Sequence, residues 1–336
     1  MLNPFNTDAF NMVTLTKAIN ILPNNYGRIR EMNLMPGRGV RTRAMVVEEA
    51  NGVLNLLPTQ PVGAPGTVDK KGKRTVRSFN IPHIPHDDLI KPEEYQGIRA
   101  FGSENTTEAL SQIINDHQQR MRNKHAITLE HLRMGALKGV ILDADGSTIY
   151  NLFTEFGITQ KSINFALTTS TTKVRSKCLA VSRHIEDNLL GEVHTGVHAL
   201  CSETFFEGLI EHDAVKEVYA NYQLSAERLG GDPRQDFVFG GIKFEEYRGK
   251  ATDADGNTRL FIPAGEAIAF PTGTMNTFET LFAPADFVET ANTVGLELYA
   301  KQELAKFGRG VDLHTQSNPL PICYRPGVLV RLTRTS

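Results

Sequence analysis

The groups in this chain best suited to hold a metal are imidazoles and carboxylates, and they come close together in a few stretches. His83-Ile84-Pro85-His86-Asp87-Asp88 places two histidines and two aspartates within six residues. Pro82 and Pro85 each precede one of the imidazoles, whereas metal-ligating histidines are normally set on rigid elements with a carboxylate behind them. The stretch reads as a linker leading to a helix. His194-Thr195-Gly196-Val197-His198 has the i, i+4 spacing of a zinc helix, but Gly196 and the valines favour a strand. Thr195 also stands where a metalloprotease needs glutamate. Asp143-Ala144-Asp145-Gly146 begins like a calcium loop, which requires glycine at its sixth position and a bidentate glutamate at its twelfth. Here the glycine comes fourth and the twelfth residue is Thr154, so this is a turn. Asp253-Ala254-Asp255-Gly256-Asn257 is read the same way.

Nucleophilic and phosphate-binding motifs are absent as well. Gly37-Arg38-Gly39-Val40-Arg41-Thr42 lacks the third glycine of a dinucleotide fingerprint, and there is no P-loop and no Gly-x-Ser-x-Gly elbow. Cys178, Cys201 and Cys323 are odd in number, far apart and without a C-x-x-C pair, the pattern of reduced thiols. No catalytic, cofactor-binding or metal-ligating residue is assigned, and no cofactor is expected.

The chemistry that does stand out is charge on an extended element. Val40, Thr42, Ala44 and Val46 alternate with Arg41, Arg43 and Met45, and a second strand is expected at 75–81. The segment between them is dense in proline, glycine and lysine, which neither a central strand nor a core helix accepts. A long hairpin with a basic tip results. Two strands alone are marginal in water, so such a hairpin implies a partner surface. Arg41, Arg43, Lys70, Lys71, Lys73, Arg74 and Arg77 are the candidate contacts, suited to an acidic patch on another subunit. No aromatic residue interleaves with these charges before Phe79, which disfavours nucleic-acid binding by the hairpin.

The element around which the rest must be arranged is a helix expected from Asn105 to Lys138. Asn105 and Glu108 have the spacing of a capping box, and no proline interrupts the run. Roughly 33 helical residues reach about 50 Å. Its middle, from Asp116 to His125, is polar on nearly every face, so the helix is expected along a surface or bridging neighbours. Residues 1–36 carry too little apolar surface for a core of their own and read as an arm lying on something else. A hairpin at 140–152 follows the helix. Next comes a helix across 171–190, a strand through His198 and a helical pair at 203–222. Strands return at 236–239, 242–247, 258–262 and 267–271, giving an α+β class. Alternating segments at 296–302 and 327–332 are expected to pack beside the long helix, with Asn318-Pro319-Leu320-Pro321 crossing between them.

A chain of 336 residues has room for two domains, and a net charge of −2 argues against a strongly basic nucleic-acid binder. No apolar run approaches the roughly 18 residues of a membrane span, and no signal peptide is recognised at Met1. A cytoplasmic, membrane-free protein is expected.

An arm, a basic hairpin, one very long helix, a second α+β region and returning strands resemble the lambda-like bacteriophage major capsid protein E family. That family has the Hong Kong ninety-seven type capsid fold. The resemblance is strongest from Phe237 to Asp286, in Phe239-Gly240-Gly241-Ile242-Lys243-Phe244, Phe261-Ile262-Pro263-Ala264-Gly265-Glu266 and Phe278-Glu279-Thr280-Leu281-Phe282-Ala283-Pro284-Ala285-Asp286. Leu137-Lys138-Gly139 after the long helix and Gln316-Ser317-Asn318-Pro319-Leu320-Pro321 near the end are also similar.

The resemblance implies an N-terminal arm at 1–36 and an extended loop at 37–84. It implies a peripheral domain at 85–159 and 287–336 holding the spine helix 105–138, and an axial domain at 160–286. It further implies a non-enzymatic subunit that assembles with itself into hexamers and pentamers of an icosahedral shell around double-stranded DNA, made in the host cytoplasm and located in the virion. Portal, scaffold and decoration proteins are the further partners it suggests. Some subunits of this fold crosslink a loop lysine to a neighbour's asparagine. Lys70, Lys71 or Lys73 with Asn318 would take those roles, although no glutamate is placed to assist. A tail-tube or connector-ring component is the alternative structural reading, and a soluble enzyme with an unread site the alternative in another class.

Overall fold

The computed structural model describes residues 12–21, 27–50, 74–95, 106–228, 232–253 and 255–335. A helix of 33 residues, Thr106–Lys138, runs through the centre of the architecture. Its expected cap, Asn105, lies outside the described residues. It stops at Gly139, whose φ of 78° is the left-handed conformation that closes helices. A β-carbon there would also come within 2.2 Å of the Phe153 ring, so the tight exit into the next hairpin requires glycine. That hairpin pairs Val140–Leu142 with Thr148–Asn151 and turns at Gly146, as the Asp-Gly signal anticipates.

A three-stranded antiparallel sheet flanks the helix, in the order Tyr299–Leu304, Val311–Ser317, Ile84–Ile90. A second, small sheet places Gly37–Gly39 parallel to Phe278–Phe282, which pairs in turn with Pro319–Cys323. Pro319 and Pro321 are accommodated because their strand is at the edge, where one side needs no N–H donor. The largest sheet has six strands in the order Lys161–Asn164, Val330–Thr333, Glu266–Thr272, Gly196–Cys201, Ile242–Glu246, Phe237–Phe239. Residues 267–271 are buried without alternation, which means that both faces of this sheet are covered. The covering helices are Val174–Asn188, Glu203–Glu211 and Asp213–Arg228. Phe165, Phe205, Phe237, Phe244 and Phe270 are fully buried in this layer and form its core.

Two expectations about the long helix and its partners are corrected. Its polar middle is only partly a free surface: Asp116, Arg120 and Lys124 are exposed, but His117, Gln118, Arg122 and His125 are all at most 8% exposed. They are covered within the same chain by the helix Met12–Ile21, the strand Ile84–Ile90 and the short helix Pro92–Tyr95. Burial is tolerable for His117, Arg122 and His125 because polar partners reach them, whereas the Gln118 amide has no hydrogen-bond partner among the described residues. Both His117 ring nitrogens face carboxylates, Asp88 Oδ2 at 2.6 Å and Glu94 Oε2 at 3.0 Å. Arg122 donates to the Ile19 carbonyl, and His125 Nε2 lies 3.0 Å from Thr315 Oγ1. The second correction concerns Val330–Thr333, expected beside the long helix. It inserts between Lys161–Asn164 and Glu266–Thr272, because Val330 and Leu332, on one face of the strand, are fully buried in the six-stranded sheet while Arg331 and Thr333 on the other stay partly exposed.

Candidate assembly surface

The extended segment begins where the chain leaves the small sheet. Val40 donates to the Phe282 carbonyl and accepts from Gly295 N–H, which fixes it to the body. The alternation expected from residue 40 is therefore broken by a bend at 41–43, and the strand proper is Ala44–Ala50. It pairs antiparallel with Arg74–Asn80, from Ala44 opposite Asn80 to Ala50 opposite Arg74.

The two faces of this ribbon differ. Phe79 is fully buried, 5.3 Å from the Tyr150 ring in an edge-on contact and 6.1 Å from Phe156. Tyr150 Oη accepts from Asn80 N–H and donates to the Asn80 carbonyl, so the ribbon's root is clasped to the 140–156 region. Val46 and Val76 instead face solvent, 55% and 61% exposed. The two valines lie diagonally on the same face of the ribbon, Val46 opposite Ser78 and Val76 opposite Glu48. At the root, a cleft of about 570 Å³ is lined by Met45, Val47, Phe156, Leu190, Met275 and Phe278, and Leu190 and Met275 are prominently exposed.

The candidate contact residues divide accordingly. Arg41 and Arg43 are exposed at the bend and make no ion pair among the described residues. Arg77 is engaged within the chain: its Nε donates to the Glu155 carbonyl at 2.6 Å and its guanidinium lies 4.8 Å from the Phe156 ring centre. Arg74 opens the second strand opposite Ala50. Lys70, Lys71 and Lys73 lie outside the described residues, as does the whole tip.

Asn318, the residue a crosslink would need, is committed to the fold. It is 1% exposed, its Nδ2 donates to the Pro284 carbonyl at 2.8 Å, and its Oδ1 is 2.9 Å from His83 Nδ1. The stretch expected to be a linker is instead largely the strand Ile84–Ile90, and His86 Nε2 lies 3.2 Å from Lys124 Nζ. His198 lies in a strand, as Gly196 suggests, with its Nε2 3.1 Å from Glu245 Oε2. Among the described residues no group of three histidine, cysteine or acidic side chains is placed to hold a metal. The three cysteines are buried free thiols, and burial pushes those of Cys178 and Cys323 up to about 12.

Sequence reasoning missed the buried polar junction that seats the ribbon and arm. Arg28 makes a bidentate pair with Glu245, Nε to Oε1 at 2.6 Å and Nη2 to Oε2 at 3.0 Å. Glu130 of the long helix accepts from Ile29 N–H at 2.9 Å and lies 3.3 Å from Tyr247 Oη, and burial raises its carboxyl above the usual range. Arg133 reaches Thr280 Oγ1 at 3.2 Å, while Thr280 Oγ1 donates to the Met35 carbonyl. Residues 28–35 therefore lie between the long helix and the six-stranded sheet. The only available signal was the unusual density of charge on a helix face that the apolar pattern leaves unexplained.

This architecture has known counterparts. The family model described as phage major capsid protein E matches residues 11–334. The chain is 33% identical to the major capsid protein of Pseudomonas phage KPP10 over 96% of each chain. It is 28% identical to the major capsid protein of Salmonella phage Felix O1 (isolate Felix O1-VT1) over 98% of each. Among solved structures it shares its fold with a capsid-protein candidate from a prophage of Escherichia coli CFT073, with a TM-score of 0.60 at 15% identity over 96% of this chain and 99% of that one. The mature capsid of bacteriophage PhiM1 gives a TM-score of 0.52 at 11% identity over 93% and 88%. The fold is the α+β capsid fold of the Hong Kong ninety-seven type. Taken with the near-complete coverage, these likenesses mean that the chain belongs to the phage major capsid protein E family.

Proposed function

We propose that this chain is the shell-forming subunit of a tailed bacteriophage, assembling into hexamers and pentamers of an icosahedral capsid around double-stranded DNA. The observation that supports this most is the end-to-end match to phage major capsid proteins, 33% identical over 96% of both chains. The physical form agrees: a ribbon with outward valines, entered through exposed Arg41 and Arg43 that make no ion pair among the described residues, makes little sense in a lone molecule, and copies of the same chain would complete its burial. Lasting assemblies commonly bury more than about 2,000 Å² per interface, which extended elements supply more readily than a globule.

In this reading residues 1–36 act as the arm and 37–84 as the extended loop. The peripheral domain comprises 85–159 and 287–336, and the axial domain 160–286. Arg41, Arg43, Arg74 and the tip lysines Lys70, Lys71 and Lys73 contact a neighbouring subunit, while Arg77 positions the ribbon. Portal, scaffold and decoration proteins are further partners, and assembly takes place in the host cytoplasm.

The test is negative-stain electron microscopy of the purified full chain and of a variant lacking residues 58–74. The full chain should form closed shells. The deletion variant should keep its circular dichroism spectrum and lose assembly. Tubes or rings from the full chain would favour a tail or connector component, and a small monodisperse oligomer would overturn the structural reading. Normal shells from the deletion variant would remove the tip from the contact.

A further inference from the structure

The acidic residues of this chain are unevenly distributed. There are 38 among 336 residues, yet none occurs from Phe156 to Ile185, a stretch that carries Lys161, Lys173, Arg175, Lys177 and Arg183. In the fold these cations gather on and beside one helix, Val174–Asn188. Its buried side is apolar (Val174, Cys178, Val181, Ile185), which turns the remaining sides outward. Lys161, Lys173, Arg175 and Arg183 are exposed and Lys177 is half-buried. Among the described residues none of the five makes an ion pair.

Stability does not account for this arrangement. Lys173 stands at the N-cap with no side-chain cap, and no acidic residue occupies the first turn. Cations at that end oppose the helix dipole, an unfavourable placement of a few tenths to about 1 kcal/mol each. Acids appear only at Glu186 and Asp187, in the last turn. Lys161 starts the edge strand of the six-stranded sheet, and its charge is felt at His184.

The segment entering the helix is rich in hydroxyls and rigidly held. Thr168, Thr169, Ser170 and Thr171 are exposed, while Thr172 Oγ1 donates to the Ala166 carbonyl at 3.0 Å and His212 Nε2 lies 3.0 Å from the Thr169 carbonyl. Cations and hydroxyls on a fixed surface, with no exposed aromatic ring among residues 161–185, suit phosphates rather than stacked bases.

We propose that the outward face of helix 174–188, with Lys161 and the hydroxyl loop 168–172, is the surface by which this subunit contacts the phosphate backbone of double-stranded DNA. This rests on the capsid reading and adds to it which face of the subunit looks toward the genome. Contact is independent of base sequence, because nothing on the face is built to read base edges.

The test is fluorescence anisotropy of a short labelled DNA duplex with the full chain held unassembled, titrated over a range of sodium chloride concentrations. Log affinity should fall linearly with log salt. The combined variant Lys173→Ala, Arg175→Ala, Lys177→Ala should flatten that slope by about 0.9 for each phosphate contact removed. Lys173→Arg with Lys177→Arg should keep it. Lys306→Ala, at an exposed cation outside this face, should leave it unchanged. If the triple variant fails to fold by circular dichroism, the single variants Arg175→Ala and Lys177→Ala carry the test, each with its own loss of slope. An unchanged slope, or normal DNA binding combined with failed shell formation, overturns the proposal, the second result by making the face a protein contact. Shell formation by microscopy is read separately, so failure of the capsid reading and failure of this face are distinguishable.

Discussion

Replacing Glu245 by glutamine tests the junction between residues 28–35 and the six-stranded sheet. The Glu245 side chain is 4% exposed, held by both Arg28 nitrogens and faced by His198 Nε2 at 3.1 Å. Burial by itself would raise the carboxyl, but the adjacent His198 imidazole, the Arg28 hydrogen bonds and the Arg28 charge outweigh it and hold the pKa at about 2 against an ordinary 4.5. At 1.36 kcal/mol per unit, that gap corresponds to about 3 kcal/mol of folding stability at neutral pH. The folded value lies below the unfolded one. The contribution is therefore complete above the unfolded pKa and disappears as the pH falls from about 4.5 towards 2. Urea unfolding of the unassembled subunit, followed by circular dichroism, should show Glu245→Gln losing about 3 kcal/mol at neutral pH. The deficit should shrink by about 1 kcal/mol at about pH 4, where the unfolded wild-type carboxyl is already largely protonated. A cost below about 1 kcal/mol that does not vary with pH, the behaviour of a solvent-exposed pair, would refute the reasoning.

Two further outcomes follow from packing and burial. His125 is buried against Thr315, and burial followed by the His86 and His314 charges lowers its pKa to about 4. Below about 6.5 the unfolded chain takes up a proton that the folded one refuses, so stability should fall between about pH 6.5 and 4, and His125→Asn should flatten that part of the curve. Gly39 lies so close to the 294–295 segment that a β-carbon would come within 2.2 Å of the Gly295 carbonyl oxygen and 2.5 Å of Val294 Cγ1. Gly39→Ala should cost about 1–3 kcal/mol, seen as a lowered melting temperature, and an unchanged melting temperature would mean that the strand entering the ribbon is not fixed where the structure has it.

Much of the fold is legible in local pattern because the signals are local. An uninterrupted run with few helix breakers specifies the helix Thr106–Lys138, and Gly139 specifies its end. Asp-Gly turns specify the hairpin at Gly146, and Gly196 with its neighbouring valines makes His198 a strand residue. The candidate contacts are legible in part. Arg41 and Arg43 stand exposed, but at a bend where Thr42 is exposed as well, so the expected alternation is not the cause, and Arg77 is drawn back onto Phe156, which lies 79 residues further along the chain. Val330–Thr333 was misplaced because an alternating apolar strand fits beside a helix or inside a sheet equally well, and only the available neighbours discriminate.

What the amino-acid order determined alone was the set of elements, the absence of a recognisable catalytic motif, and the order of parts that places the chain among capsid subunits. What only the tertiary structure decided was the fate of its buried charges. His117, Arg122, Glu130 and Glu245 look solvent-facing in a linear pattern, yet each is covered by segments distant in the chain. The reason is that burying a charged or polar group is costly unless partners meet it, and those partners, Asp88, the Ile19 carbonyl, Ile29 N–H and Arg28, are brought within reach only when the whole chain folds.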